Sequence, residues 1–342
     1  MRSWVRVLLL LTLPACVRPA AEFPCASSDQ CTGGGVCQPN GLCSFDDTTC
    51  PGGQRYGIAA GELGGVCVGT ALDGGNNGLP GCDLAKPFGR PVLVAGLSSA
   101  AEDAGLRLLP DEKTAFFFST RSGTKLLYTA SRSSVTAAFA NVSVLANINA
   151  SDQGDPAISA DGLTLFFASL RTGGVGDNDI YQATRNTLTA DFKNTRLAAN
   201  VNTPASEVQP YITQDGTTLY FVRALASGEA VFRATGSVTR GFTNASAISE
   251  IDGPTNDDAP VLSADGLTLY WASDRPGGMG DLDIWQAHRP STSAAFDELA
   301  QVSSVNTAGL DAPSDVSEDS CRLYLTSTRA GRTGIYVVTR LP

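Results

Sequence analysis

The chain has 342 residues, 42% of them hydrophobic and 17% charged, with 36 Gly and 18 Pro, a globular composition suited to many short strands joined by turns. Acidic residues outnumber basic ones, 34 to 24, for a net charge of −10. That balance excludes electrostatic attraction to nucleic acid or to an anionic membrane surface and leaves cationic ligands, metal ions and basic protein patches open.

Residues 1–15 read as an export signal. Arg2 and Arg6 supply positive charge, "VLLLLTL" a short apolar run, and "LPAC" ends on small Ala15 and Cys16. Neither this run nor any later one approaches the ~18 residues a membrane-spanning helix needs. The string "LPAC" resembles the lipobox of bacterial lipoproteins. The resemblance implies acylation of Cys16 and a lipid anchor in the bacterial cell envelope. Secretion without lipid and an uncleaved anchor are the alternatives.

Nine cysteines is an odd number. Setting Cys16 aside for lipid leaves Cys25, Cys31, Cys37, Cys43, Cys50, Cys67, Cys82 and Cys321, an even set that predicts disulfides in an exported chain. The C-x5-C spacing from Cys25 to Cys43 suits a disulfide knot better than zinc, which favours shorter gaps and His. Pairing among Cys25, Cys31, Cys37, Cys43, Cys50 and Cys67 stays open. Residues 16–83 therefore form a Cys/Gly-rich module ending in the connector "ALDGGNNGLPG" (71–81).

Beyond residue 84 the chain repeats itself. "SADGLTLFFASLRTGGVGDNDIYQA" (159–183) and "SADGLTLYWASDRPGGMGDLDIWQA" (263–287) agree at 18 of 25 positions. Anchored on Asp111, Asp161, Asp215, Asp265 and Asp319, five copies follow one another at intervals of 50, 54, 50 and 54 residues. Each unit reads as four strands. A lead-in enters an Asp turn; a near-continuous apolar strand suits burial on both faces; a Gly-rich turn, a further strand and an aromatic-led segment complete it. Four-stranded units at this period predict an all-β fold, a β-propeller. Five four-stranded blades fit the five copies; six stay open if part of 50–83 contributes. The fifth unit stops one strand short, and the orphan "FGRPVLVAGL" (88–97) supplies a segment to complete the last blade. A Cys82–Cys321 disulfide would staple that closure.

The motif "SADGLTLYWASDRPGGMGDLDIW", preceded by "VNT" and an acidic-x-x-Pro run, resembles the TolB-type, WD40-like propeller repeat of bacterial envelope proteins over residues 84–342. The resemblance implies a periplasmic or surface propeller that binds an envelope or periplasmic protein, with no cofactor. Such propellers generally have six blades, and the Cys-rich front is no part of them.

Eight residues before each anchor stand Asp103, Gln153, Glu207, Asp257 and Asp311. Two roles are open to this set. The residues can cap turns within their own unit, or ring symmetry can bring them to one channel mouth as a binding site for a cation or basic peptide, with Asp152, Asp155 and Asp258 nearby. "GGVGDND" (173–179) and "GGMGDLD" (277–283) resemble calcium nonapeptides, but Asn178 and Leu282 break the ladder of acids. A hairpin whose Asp179 or Asp283 bonds the turn backbone is the simpler reading, with calcium kept open. Asp161, Asp215 and Asp265 read as turn residues; Arg171 and Arg275, at matching places, either pair with carboxylates of a neighbouring blade or face solvent. His288 is the single histidine and reads as a surface residue, since no nucleophile elbow, phosphate loop or His-rich metal motif accompanies it. The function these readings favour is a non-catalytic binding scaffold. The alternative is a carbohydrate-active hydrolase or lyase, which needs two carboxylates across a sugar.

Overall fold

The computed structural model describes residues 28–31, 34–38, 42–48, 54–56, 82–150, 152–253 and 256–340. The export signal, Cys16, Cys25, Cys50 and Cys67 lie outside the described residues. The chain divides into two compact units, 1–75 and 76–342.

In the first unit a 3-10 turn, Ser28–Gln30, precedes an antiparallel sheet of β1 (Val36–Cys37), β2 (Cys43–Asp46) and β3 (Gln54–Tyr56). Among the described residues here, Cys31 and Tyr56 are the buried hydrophobic ones. So small a core needs a covalent staple, and the Cys31–Cys43 disulfide provides it.

The second unit opens with β4 (Val92–Leu93) and then builds five four-stranded antiparallel sheets. The first sheet holds β5 (Asp103–Leu108), β6 (Thr114–Ser119), β7 (Leu126–Ser131) and β8 (Ala140–Val144). In the second come β9 (Gln153–Ile158), β10 (Thr164–Ser169), β11 (Asp179–Thr184) and β12 (Lys193–Leu197). The third contains β13 (Glu207–Ile212), β14 (Thr218–Leu225), β15 (Gly228–Ser237) and β16 (Gly241–Ala247). The fourth has β17 (Asp257–Leu262), β18 (Thr268–Ser273), β19 (Asp283–His288) and β20 (Asp297–Gln301). The fifth joins β21 (Asp311–Val316), β22 (Arg322–Ser327) and β23 (Gly334–Thr339) to β4.

First strands touch in a cycle: β5 meets β9, β9 meets β13, β13 meets β17, β17 meets β21, and β21 returns to β5. The five sheets thus form a ring. Second strands carry its core. β10 and β22 are buried at every position, and their apolar centres, Leu165–Ala168 and Leu323–Leu325, suit strands covered on both faces. Fourth strands β8, β12 and β20 are mostly exposed and form the rim. Buried side chains interlock between neighbouring sheets; Phe116 and Phe118 of the first share a cluster with Leu165 and Phe167 of the second.

Closure comes from the orphan segment. Tyr336 pairs with Leu93 and Val337 with Val92, the Gly89 amide donates to the Thr339 carbonyl at 2.9 Å, and Cys82 is bonded to Cys321. Sharing one sheet between distant parts of the chain leaves no unpaired edge at the seam.

Each anchor aspartate builds the turn between first and second strands. Asp161 Oδ1, for example, accepts the Leu163 amide at 2.9 Å and the Ser159 hydroxyl at 2.6 Å. The next position is left-handed in all five sheets: Gly162, Gly216 and Gly266 have φ of 70°, 66° and 68°, but Glu112 and Ser320 sit there at 56° and 55°. A side chain in that region is strained. At Glu112 the surroundings offset the strain, because its buried carboxylate accepts from Arg322 Nη2 and from the Tyr324 hydroxyl, each at 2.6 Å.

Candidate functional site

The carboxylates singled out by the repeat open the first strand of each sheet, and all five residues, Asp103, Gln153, Glu207, Asp257 and Asp311, are 0% exposed. They form no exposed ring at a channel mouth. Each is held inside its own sheet by an arginine. Arg121 reaches Asp103 at 2.5 Å, Arg223 reaches Glu207 at 2.7 Å, Arg275 reaches Asp257 at 2.6 Å, and Arg329 reaches Asp311 at 2.7 Å. At the neutral position the Gln153 amide, with its oxygen turned to the guanidinium, accepts from Arg171 at 3.0 Å.

The acids also cap turns. Asp103 accepts the Ser99 amide, Glu207 that of Thr203, Asp257 that of Gly253 and Asp311 that of Thr307. Burial disfavours the ionised form of Asp103, yet bonds from Ser119, Arg121 and Ser99 together hold its carboxyl below the ordinary range. The same arginines tie each sheet to the connection entering it, donating to the carbonyls of Leu97, Ile148, Val201, Ile251 and Val305. Their planes lie over aromatic rings, as Arg275 does over Trp271 at 4.9 Å.

The glycine-rich hairpins are closed in a similar way. Asp179 accepts the Val175 amide at 2.7 Å, and Asp283 accepts the amides of Met279 and Gly280. Among the described residues no three His, Cys, Asp or Glu side chains are grouped as a metal set. His288 is half-buried, with Nδ1 3.0 Å from the Thr268 hydroxyl oxygen, at the far end of β19 from the channel mouth.

What the ring does create is an axial channel lined by all five first strands. Each strand bulges toward it. Two residues face one partner at 105–106, 155–156, 209–210 and 259–260, where pairing skips from Ala104 to Arg107 and likewise in the other sheets. The bulge residues Gly105, Asp155, Gln209 and Ala259 all have positive φ, between 49° and 63°. Non-glycine residues in that region are strained, and such strain gathers at functional sites.

Arg107 divides the channel. It is 7% exposed and lines both a cavity of about 170 Å³ at the mouth and one of about 50 Å³ beyond. Its guanidinium donates to the carbonyls of Leu106 at 3.3 Å and Pro210 at 3.4 Å and lies 5.5 Å from the Tyr211 ring centroid. Burial lowers its pKa, against the pull of Asp315, Tyr211 and Asp155. Asp315, on the inner side, is pushed up to about 6 by burial although Arg107 opposes the shift.

At the mouth stand Asp155 and Asp258, with Glu102 on the rim. Asp258 is 7% exposed, and no donor reaches its Oδ1. Burial, then the adjoining Glu229, Asp155 and Asp257, push its carboxyl up to about 8. Asp258 therefore holds its proton at neutral pH beside Glu229. The repeat brought Asp155 and Asp258 into view only as neighbours of the cap residues. Arg107 carried no signal, because the matching positions of the other sheets hold Ala157, Tyr211, Val261 and Asp315.

No known family profile and no curated protein sequence matches the chain. Solved structures do. TolB from Acinetobacter baumannii aligns over 72% of this chain and 56% of its own, at 17% identity and a TM-score of 0.45. The α-L-arabinofuranosidase of Podospora anserina aligns over 74% of this chain and 96% of its own, at 10% identity and a TM-score of 0.50. For the endo-arabinase of Bacteroides thetaiotaomicron the shares are 73% and 98%, at 14% identity and a TM-score of 0.50. The chain thus spans just over half the length of that TolB. At 10% and 14% identity the likeness to the arabinofuranosidase and the endo-arabinase is one of fold alone.

Proposed function

We propose that the five sheets are the blades of a five-bladed β-propeller, and that the chain is an exported, lipid-anchored scaffold whose channel mouth binds a partner. One observation carries binding over catalysis. The repeated acids Asp103, Glu207, Asp257 and Asp311 are fully buried and each is held by an arginine of its own blade, which leaves none of them to a substrate. What remains is a small cavity closed at its floor by Arg107. Lipid on Cys16 would hold the propeller at the cell envelope, with an envelope or periplasmic protein as its partner. This reading requires no cofactor.

A carbohydrate-active hydrolase is the second reading. Asp258 keeps a proton near neutrality, and a second carboxyl group, Asp155, lines the same cavity; acid-assisted glycoside hydrolysis uses a pair of such side chains. The fold likeness to an α-L-arabinofuranosidase and an endo-arabinase over nearly their whole length supports the same reading.

Two measurements on the purified chain separate these readings. Reducing-sugar release is followed on arabinan, arabinoxylan and a wider glycan panel, with Asp258→Asn as control. In parallel the chain serves as bait for detergent-solubilised envelope, and any retained protein is purified and its binding reconstituted. The scaffold reading expects no turnover and a reconstituted complex weakened by Asp258→Asn or Asp155→Asn. Turnover abolished by Asp258→Asn establishes the hydrolase; neither turnover nor a complex refutes the scaffold.

A further inference from the structure

We infer that the mouth cavity receives an organic cation, an ammonium or guanidinium head on a short apolar stem, as carried by a lysine or arginine side chain or by a small alkylamine. This deepens the binding reading above and rests on it.

A buried carboxylate oxygen without a donor is costly, and Asp258 Oδ1 is one. In the free protein a proton answers that cost, since Asp258 is crowded by Glu229, Asp155 and Asp257. An ammonium group offers three donors and a full charge to the same place. The walls suit the stem: Phe118, Pro156, Leu282 and Leu310 line the cavity, and the Phe118 ring already has a cation over it, Lys125 Nζ at 4.3 Å from its centroid. Charge is complementary as well. Once Asp258 gives up its proton to the ligand exchange, Glu102, Asp155, Asp258 and the adjoining Glu229 outnumber Lys125 and Arg107, and Arg107 is countered first by Asp315.

Size narrows the ligand. About 170 Å³ lies below the 300–1,000 Å³ of ordinary small-molecule pockets. It has room for one head and stem, not for an oligosaccharide. The described residues also hold no three-ligand metal set, so the recognition elements fit an organic head and not a bare ion.

Binding a cation beside Asp258 displaces its proton. Affinity therefore rises with pH until Asp258 ionises on its own near pH 8, by up to about tenfold per pH unit below that point. The other charged groups lining the cavity, Glu102, Asp155 and Arg107, with Glu229 beside Asp258 and Lys125 over Phe118, set the charge against which this exchange takes place.

Calorimetry on the full chain tests the inference with pentylamine, agmatine and a blocked Gly-Lys-Gly peptide, against 1-pentanol and arabinose, at pH 6 and pH 8 in buffers of different ionisation heat. The expected result is binding of the amines with proton release and higher affinity at pH 8. It includes a loss of about tenfold or more in Asp258→Asn, the equivalent of one charge-assisted bond. Asp155→Asn is a second probe, because asparagine tolerates the left-handed backbone at that position. Binding of the peptide alone identifies a protein side chain as the source; binding of the free amines too admits a small ligand. Pentanol binding as well as pentylamine, Asp258→Asn binding pentylamine unchanged, or no amine binding overturns the inference. If amines fail while a reconstituted partner still binds, the ligand class alone is wrong; arabinan turnover removes the scaffold reading as well.

Discussion

Four seams of the ring have an arginine at the end of a third strand reaching back to the preceding sheet, and three of the four meet a tyrosine. Arg132 donates to the Tyr324 hydroxyl and Arg340 to that of Tyr270, each at 3.1 Å, and Arg289 is likewise bonded to Tyr220. At the remaining seam the matching residue is Phe116, whose ring centroid lies 5.8 Å from the Arg185 guanidinium carbon, and Arg185 Nη2 is buried without a partner. Phe116→Tyr should supply the missing hydroxyl. A hydrogen bond to a charged group is worth about 1.5–3 kcal/mol; less the cost of fitting one oxygen into a packed seam, a net gain of about 1–2 kcal/mol is expected. For a unit of this size that corresponds to roughly 2–4 °C in melting temperature per kcal/mol. Thermal and urea unfolding of the wild type, Phe116→Tyr, Arg185→Met and the double variant would measure it. The gain should disappear in the Arg185→Met background. A Phe116→Tyr protein no more stable than wild type, or equally stabilised without Arg185, refutes the assignment of this seam as an incomplete latch.

Three further outcomes follow from the same geometry. Arg329→Met strands a fully buried Asp311 and should cost about 3–5 kcal/mol in urea unfolding, whereas Arg171→Met, facing the neutral Gln153, should cost clearly less. Replacing both Cys82 and Cys321 by serine releases a link between residues 239 apart in sequence, which the loop-entropy relation values at about 5 kcal/mol; non-reducing calorimetry would read it as a large fall in melting temperature. Asp258 and Asp315 are raised from 3.8 to about 8 and about 6, so between those limits the folded state holds protons that the unfolded chain has released. Their contribution to stability is complete near pH 4 and is lost as pH rises toward 8, and Asp258→Asn should flatten the upper part of that decline.

Much of the architecture is legible in the sequence because it is written five times. The anchor aspartates, the apolar second strands and the orphan segment at 88–97 all mark positions where every sheet meets the same physical demand. A spacing of eighteen residues also separates an arginine from Asp103, Gln153, Asp257 and Asp311, and sixteen separate Arg223 from Glu207, but such a spacing becomes a contact only once a hairpin folds it back. The binding cavity obeys the opposite logic. It is built from places where the copies disagree, Arg107 against Ala157, Asp155 against Ala259, so periodicity conceals it. Bulges added a second obstacle, since one extra residue in each first strand moves the channel-facing side chains out of simple alternation. A repeat thus reports what every sheet must do for its neighbours, and the exceptions to it mark the cavity that the ring as a whole encloses.

The strand borrowed to finish the fifth sheet has a consequence for how the molecule comes into being. During synthesis β4 emerges before any of the ring strands, yet its partner β23 is the last to appear, so β4 must wait unpaired while some 240 residues are made between them. Contacts so distant in sequence form slowly, and the half-made ring exposes a pairing edge throughout that interval. The step that closes the ring is therefore reserved for the hairpin of β22 and β23. Any stall or truncation ahead of β23 leaves an open arc in place of a smaller ring.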